Sequence, residues 1–186
     1  MFAVQATYKG KEKRRGETVR RSAAALSTIT EGPDFVVEHV DTITAPLPSP
    51  EGTVAIIMAL LSSDMWAVSL GCGACADEAL ACAAGAAERG PRSAPVTVAT
   101  PAHEEIFEEA IAAAFELIAF VLSKRSQQGR KATGLMRSGL SQVEAADELG
   151  ITKQAMSQRL KAAGWDAETA GWELATMLLT QVSRSL

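Results

Sequence analysis

The chain has 186 residues, 47% hydrophobic and 22% charged, with a net charge of −4. That length suits one sizeable domain or two small ones of an ordinary water-exposed globular class. The longest clean apolar run, Val54–Leu61, is far short of the ~20 residues a membrane span needs. No apolar signal region opens the chain, and the three cysteines, an odd number, do not form a disulfide framework. The expectation is a cytoplasmic protein without a membrane partner.

The small net charge conceals a strong asymmetry. Residues 1–21 carry seven basic and two acidic side chains, and residues 22–123 carry two basic and fourteen acidic. Residues 124–165 return to eight basic against three acidic, and the remaining tail has one basic and three acidic. A basic segment inside an acidic protein points to a polyanionic partner.

In chain order, Phe2–Tyr8 reads as a strand and Glu17–Ile29 as a helix with Val19, Ala23, Leu26 and Ile29 on one face. Phe35–Val37 and Thr42–Ala45 read as two short strands, a candidate hairpin. In "PLPSPEG", Ser49 serves as N-cap and Pro50 as first residue of a helix running through "TVAIIMALLS". "WAVSLG" is a further strand, Asp77–Glu88 a helix and "APVTVAT" a last strand. The order indicates an α+β class: a ferredoxin-like βαββαβ sandwich over residues 1–100, with helices on one face of an antiparallel sheet.

From Pro101 the pattern is wholly helical. "TPAHEE" offers Thr100 as N-cap and acids in the first turn. The long helix that follows carries Ile106, Ala110, Ala113, Leu117 and Val121 on one stripe. Phe107, Ile111, Phe115, Ile118 and Leu122 form a neighbouring one. So wide an apolar surface calls for cover on two sides. Residues 101–126 therefore read as a linker and dimerisation helix, with a homodimer formed through residues 104–123, although a central helix of a monomer satisfies the same pattern.

Residues 127–186 read as a helix-turn-helix DNA-binding domain. Ser141 caps a helix Gln142–Leu149, Gly150 takes the positive φ of the turn, and Ile151 plugs the core behind it. Thr152 caps a second helix to Ala163. Ala146 sits at the crossing, and Leu149, Met156 and Leu160 fall inward. The outward face is then fixed as Thr152, Lys153, Gln154, Ser157, Gln158 and Lys161, with Arg159 at its edge. No acid interrupts residues 152–163. Gln pairs with adenine, Lys and Arg with guanine or phosphate, and Ser with either. Arg130, Lys131 and Arg137 on the preceding helix suit phosphate, which positions a protein without specifying sequence.

The run Gln142, Ala146, Leu149–Ile151, Gln154, Ala155, Ser157–Leu160, Gly164 and Trp165 resembles the C-terminal part of SatD-family and related bacterial regulators. The likeness is specific over about residues 124–175. It implies a DNA-binding regulator whose N-terminal half resembles the βαββαβ core of nucleotide cyclases. In that pattern, aspartates after the first strand and in the central hairpin hold metal for a nucleotide. Here "QATYKGKEK" has no acid before Glu12, and the hairpin keeps only Asp41. One carboxylate does not assemble a divalent-metal phosphate site. The chain is accordingly expected not to be an enzyme and to need no cofactor.

Other candidates weigh less. Cys72 and Cys75 form Cys-x-x-Cys with Cys82 seven residues on, and His39 or His103 would complete four zinc ligands. Surrounded by Ala and Gly, with no second Cys-x-x-Cys, these thiols fit small buried apolar residues better, so no metal is expected. The "GCG" glycines lack the Gly-Lys-Ser/Thr of a phosphate loop. His39 and His103 have no evident catalytic partner. Lys9–Arg15 suits either phosphate contacts or a solvated turn. Trp165 and Trp172, two helical turns apart, are expected to anchor the last helix to the helix-turn-helix. The principal reading is a sequence-specific regulator on double-stranded DNA. Its alternatives are a module docking on an acidic partner such as a polymerase subunit, and a nucleotide sensor acting through the N-terminal domain.

Overall fold

Five strands form a single sheet in the order β2-β3-β1-β4-β5 in the computed structural model, which describes residues 1–12, 14–29, 34–89, 94–102 and 105–186. The strands are β1 (Phe2–Tyr8), β2 (Val36–His39), β3 (Thr42–Leu47), β4 (Trp66–Cys72) and β5 (Val96–Ala99). β1 lies at the centre, antiparallel to β3 on one side and to β4 on the other, while β5 runs parallel to β4. The hairpin β2–β3 forms with a register shift between Val37 and His39. Eight helices accompany the sheet among the described residues.

Helices α1 (Arg15–Leu26) and α2 (Pro50–Ser63) bury Val19, Leu26, Ile56 and Ile57 in the same core as Phe2, Val4 and Leu70. α2 starts as its sequence dictates: the Ser49 hydroxyl accepts from Gly52 N–H, with Pro50 in the first turn. β3 continues through Leu47, so "PL" belongs to the strand rather than to the helix entry. α1 stops at Leu26, and Ile29, expected on its buried face, is exposed.

Helix α3 (Ala76–Glu88) departs from the one-sided arrangement expected of the helices. It packs Ala79 and Ala83 against Ala3, on the sheet face opposite Phe2 and Val4. Alternate residues of a strand point to opposite faces, so the sheet is covered on both. The approach is close enough that a Cβ on Gly71 would lie 2.0 Å from the Ala79 carbonyl oxygen. Gly71 and Gly73 of the "GCG" run thus serve helix-on-sheet packing.

The helical half comprises α4 (Glu105–Ser123), α5 (Gln127–Arg137), α6 (Gln142–Glu148), α7 (Lys153–Ala162) and α8 (Trp165–Ser185). Thr100 lies five residues before α4; its backbone N–H and hydroxyl meet Glu108 Oε1 at 2.7 and 3.0 Å. His103 and Glu104 lie outside the described residues. α4 buries Ile111, Phe115, Ile118 and Leu122 in the sheet core. A second, smaller core gathers Ala132, Ala145, Ala146, Met156 and Leu160 from α5, α6 and α7. α8, read from sequence with the helices before it, joins the two cores. Trp165 packs on the small core, whereas Ala175, Leu179 and Val182 sink into the sheet core. Trp172 also packs there, so only one tryptophan anchors α8 to α5–α7. No helix among the described residues is long and apolar enough to cross a membrane.

Candidate nucleic-acid interface

The α6–α7 pair is built from local signals. Ser141 and Glu144 form a reciprocal capping box: Glu144 N–H donates to the Ser141 hydroxyl, and the Glu144 carboxylate accepts from Ser141 N–H at 2.8 Å. Those hydrogen bonds hold the Glu144 carboxyl below its usual value. α6 ends at Glu148, and Gly150 takes φ +63° in the turn. Ile151 N–H donates to the Ala146 carbonyl at 3.0 Å, closing the turn over the small core. Thr152 accepts from Ala155 N–H at 3.1 Å and starts α7. Its hydroxyl is thereby committed to capping.

Across the core, Met156 and Leu160 are buried against Ala145 and Ala146. Small residues on α6 let the two helices cross at short range. The other side of α7 presents Lys153, Gln154, Ser157, Gln158 and Lys161, all exposed, with Arg159 half-buried at the edge. Arg130 and Lys131 are exposed on α5. Arg137, at the end of α5, donates from Nε to Glu168 Oε1 at 2.6 Å, and its side chain is 31% exposed.

That contact belongs to a buried charge network which the sequence reading missed. Arg125, just past α4, donates from Nε to the Ala163 carbonyl at the end of α7, at 2.7 Å, and pairs through Nη2 with Glu168 Oε2. Its Nη1 reaches the Thr133 hydroxyl of α5 at 3.4 Å. A guanidinium on the last carbonyls of a helix is favoured by its dipole. Burial pulls the Arg125 guanidinium below its ordinary value, while Glu168 opposes the shift. The network ties α4, α5, α7 and α8 together and fixes the pose of α7. One signal was available: Glu168 lies on the same inward stripe as Ala175, Leu179 and Val182.

The remaining candidates disperse. Asp41 sits in the β2–β3 turn, 3.6 Å from Arg15, and accepts from the Thr42 hydroxyl. His39 is exposed on β2. Cys72 is buried, Cys75 exposed and Cys82 half-buried, all as free thiols. Burial pushes the Cys72 thiol up to about 12 and raises that of Cys82. Among the described residues, no group of three or more His, Cys, Asp or Glu is placed to hold a metal ion.

No family model and no curated protein matches the chain. Among solved structures, a regulator of polyketide synthase expression from Bifidobacterium adolescentis is similar at 14% identity. The match covers 99% of this chain and 80% of that one, with a TM-score of 0.28, and an overlap so loose carries no argument about fold or function. The functional reading therefore rests on the geometry of α7 and the charges around it.

Proposed function

We propose that the chain is a sequence-specific regulator that binds double-stranded DNA through a helix-turn-helix formed by α6 and α7. The observation that carries this reading is the solvent face of α7. Five polar or basic side chains stand exposed there without an acid, on a helix whose opposite face is buried. Lys153, Gln154, Ser157 and Gln158 would reach base edges, and Arg159, Lys161, Arg130 and Lys131 phosphates. Arg137 would add a phosphate contact only through its Nη groups, since Glu168 holds its Nε. The strand order β4-β1-β3-β2 and its antiparallel pairings support a ferredoxin-like βαββαβ frame, extended by α3 and β5. On this reading the frame is non-catalytic, since Asp41 is engaged by Arg15 and Thr42.

The regulator would work as a homodimer. On α4, Ile106, Leu117 and Phe120 are 82, 64 and 60% exposed, and α8 adds Met177 at 64%. Ile106, Ala110, Ala113, Leu117 and Phe120 recur at alternating spacings of four and three, the pattern of helices that pair along a seam. Glu105 and Glu109 flank its start and Lys124 follows its end, so antiparallel self-pairing sets opposite charges together. Two reading heads related by a two-fold axis suit a palindromic site.

Salt titration of duplex binding tests the reading. Affinity for a selected duplex should fall steeply and linearly in log–log form with salt, as counterion release requires. Absence of duplex binding at low salt would sink it in favour of a protein-docking surface.

A further inference from the structure

A cleft of about 660 Å³ opens between α2 and α8, where the sheet half meets the helical half. Ala55, Met58 and Ala59 of α2 face Trp165 and Trp172 of α8 across it. Its size lies within the ~300–1,000 Å³ common to small-molecule sites, and two indoles suit a flat apolar body.

The polar end is Arg137 and Glu168. Two guanidiniums, Arg125 and Arg137, share the single Glu168 carboxylate, which leaves one positive charge uncompensated. Among the described residues, Arg137 is engaged only through Nε, so its Nη1 and Nη2 donors have no protein partner. Glu168 meanwhile holds the guanidinium plane in place at 2.6 Å. A fixed guanidinium with unused paired donors matches a carboxylate by geometry as well as charge. Glu173, the other acid lining the cleft, is exposed at the rim, where solvent and salt weaken its repulsion.

We propose that this cleft binds a small, flat, apolar organic acid, with its ring against Trp165 and Trp172 and its carboxylate on the Nη donors of Arg137. The site rests on the cleft alone and stands or falls apart from the DNA reading.

Calorimetric titration of the full chain with 2-naphthoate, with 2-naphthalenemethanol and with 2-naphthylmethylammonium tests it. Naphthoate should bind saturably and at least about tenfold more tightly than the neutral and cationic probes, the scale of one charge-assisted hydrogen bond. Arg137→Met should abolish that preference for the anion. Ala55→Phe, which fills the cleft without touching the charge network, should weaken naphthoate at least about tenfold while circular dichroism stays that of the parent. The proposal is overturned if naphthoate does not bind, if the three probes bind alike, or if Ala55→Phe leaves affinity unchanged.

Discussion

Glu168 on α8 and Arg137 at the end of α5 are joined by a 2.6 Å hydrogen bond across 31 residues of sequence. The second Glu168 oxygen pairs with the buried Arg125, so one carboxylate closes the joint between the two halves of the helical array. Removing it strands a cation where water does not reach. Glu168→Ala should lower stability by about 3–5 kcal/mol, read as a shift of the urea midpoint at unchanged slope. The pair Arg125→Met with Glu168→Leu should lose less, because both charges leave together. A double variant less stable than Glu168→Ala would contradict this account.

On α7, two substitutions separate reading from holding. Gln154→Ala should relax sequence preference by about 1–3 kcal/mol at one base pair while leaving random duplex affinity near the parent value. Lys161→Ala should weaken all duplexes alike and reduce the salt slope by about one. If both variants behave identically on selected and random duplexes, the groove assignment is wrong.

The seam on α4 predicts its own disruption. Leu117→Glu places a charge in the middle of an apolar stripe that is already exposed in the single chain. The folded subunit should tolerate it, whereas sedimentation equilibrium should shift from a dimer to the 19.6 kDa monomer. A wild-type chain that is already monomeric at tens of micromolar would remove the seam from the mechanism.

The Cys72 thiol gives a pH prediction with a definite sign. Its ionisation rises from the ordinary value of 9.0 to about 12, chiefly because burial disfavours the thiolate. The unfolded chain ionises first, so the contribution to stability is intact below pH 9 and lost as pH climbs toward 12. Wild type should lose about 2 kcal/mol more than Cys72→Val between pH 8 and 10.5. At pH 8, iodoacetamide should label the exposed Cys75 quickly and spare Cys72 until unfolding. Rapid labelling of Cys72 in the native protein would refute its burial.

What the sequence disclosed was what local chemistry decides. Strand β1, the Ser49–Pro50 helix start and the Ser141–Gly150–Thr152 punctuation each depend on neighbours within about four residues, and each is found where the pattern put it. The α7 face followed from the inward turn of Met156 and Leu160. Long-range contacts were hidden. Nothing near Gly71 announces that the Ala79 carbonyl will lie against it, so α3 was placed on the wrong side of the sheet. Likewise, Arg125 counted as one more basic residue, although its role is set by Ala163 and Glu168 far along the chain.

Helix α8 begins on the small core at Trp165 and ends in the sheet core at Val182. This makes the C-terminal segment a splice rather than an appendage. A fragment carrying only α5–α7 would lack the indole that seals it and the carboxylate that engages Arg137, while the sheet half left behind would show a bare apolar flank. Heat or denaturant should therefore melt the two halves in one cooperative transition, and a portable version of α5–α7 must carry α8 with it.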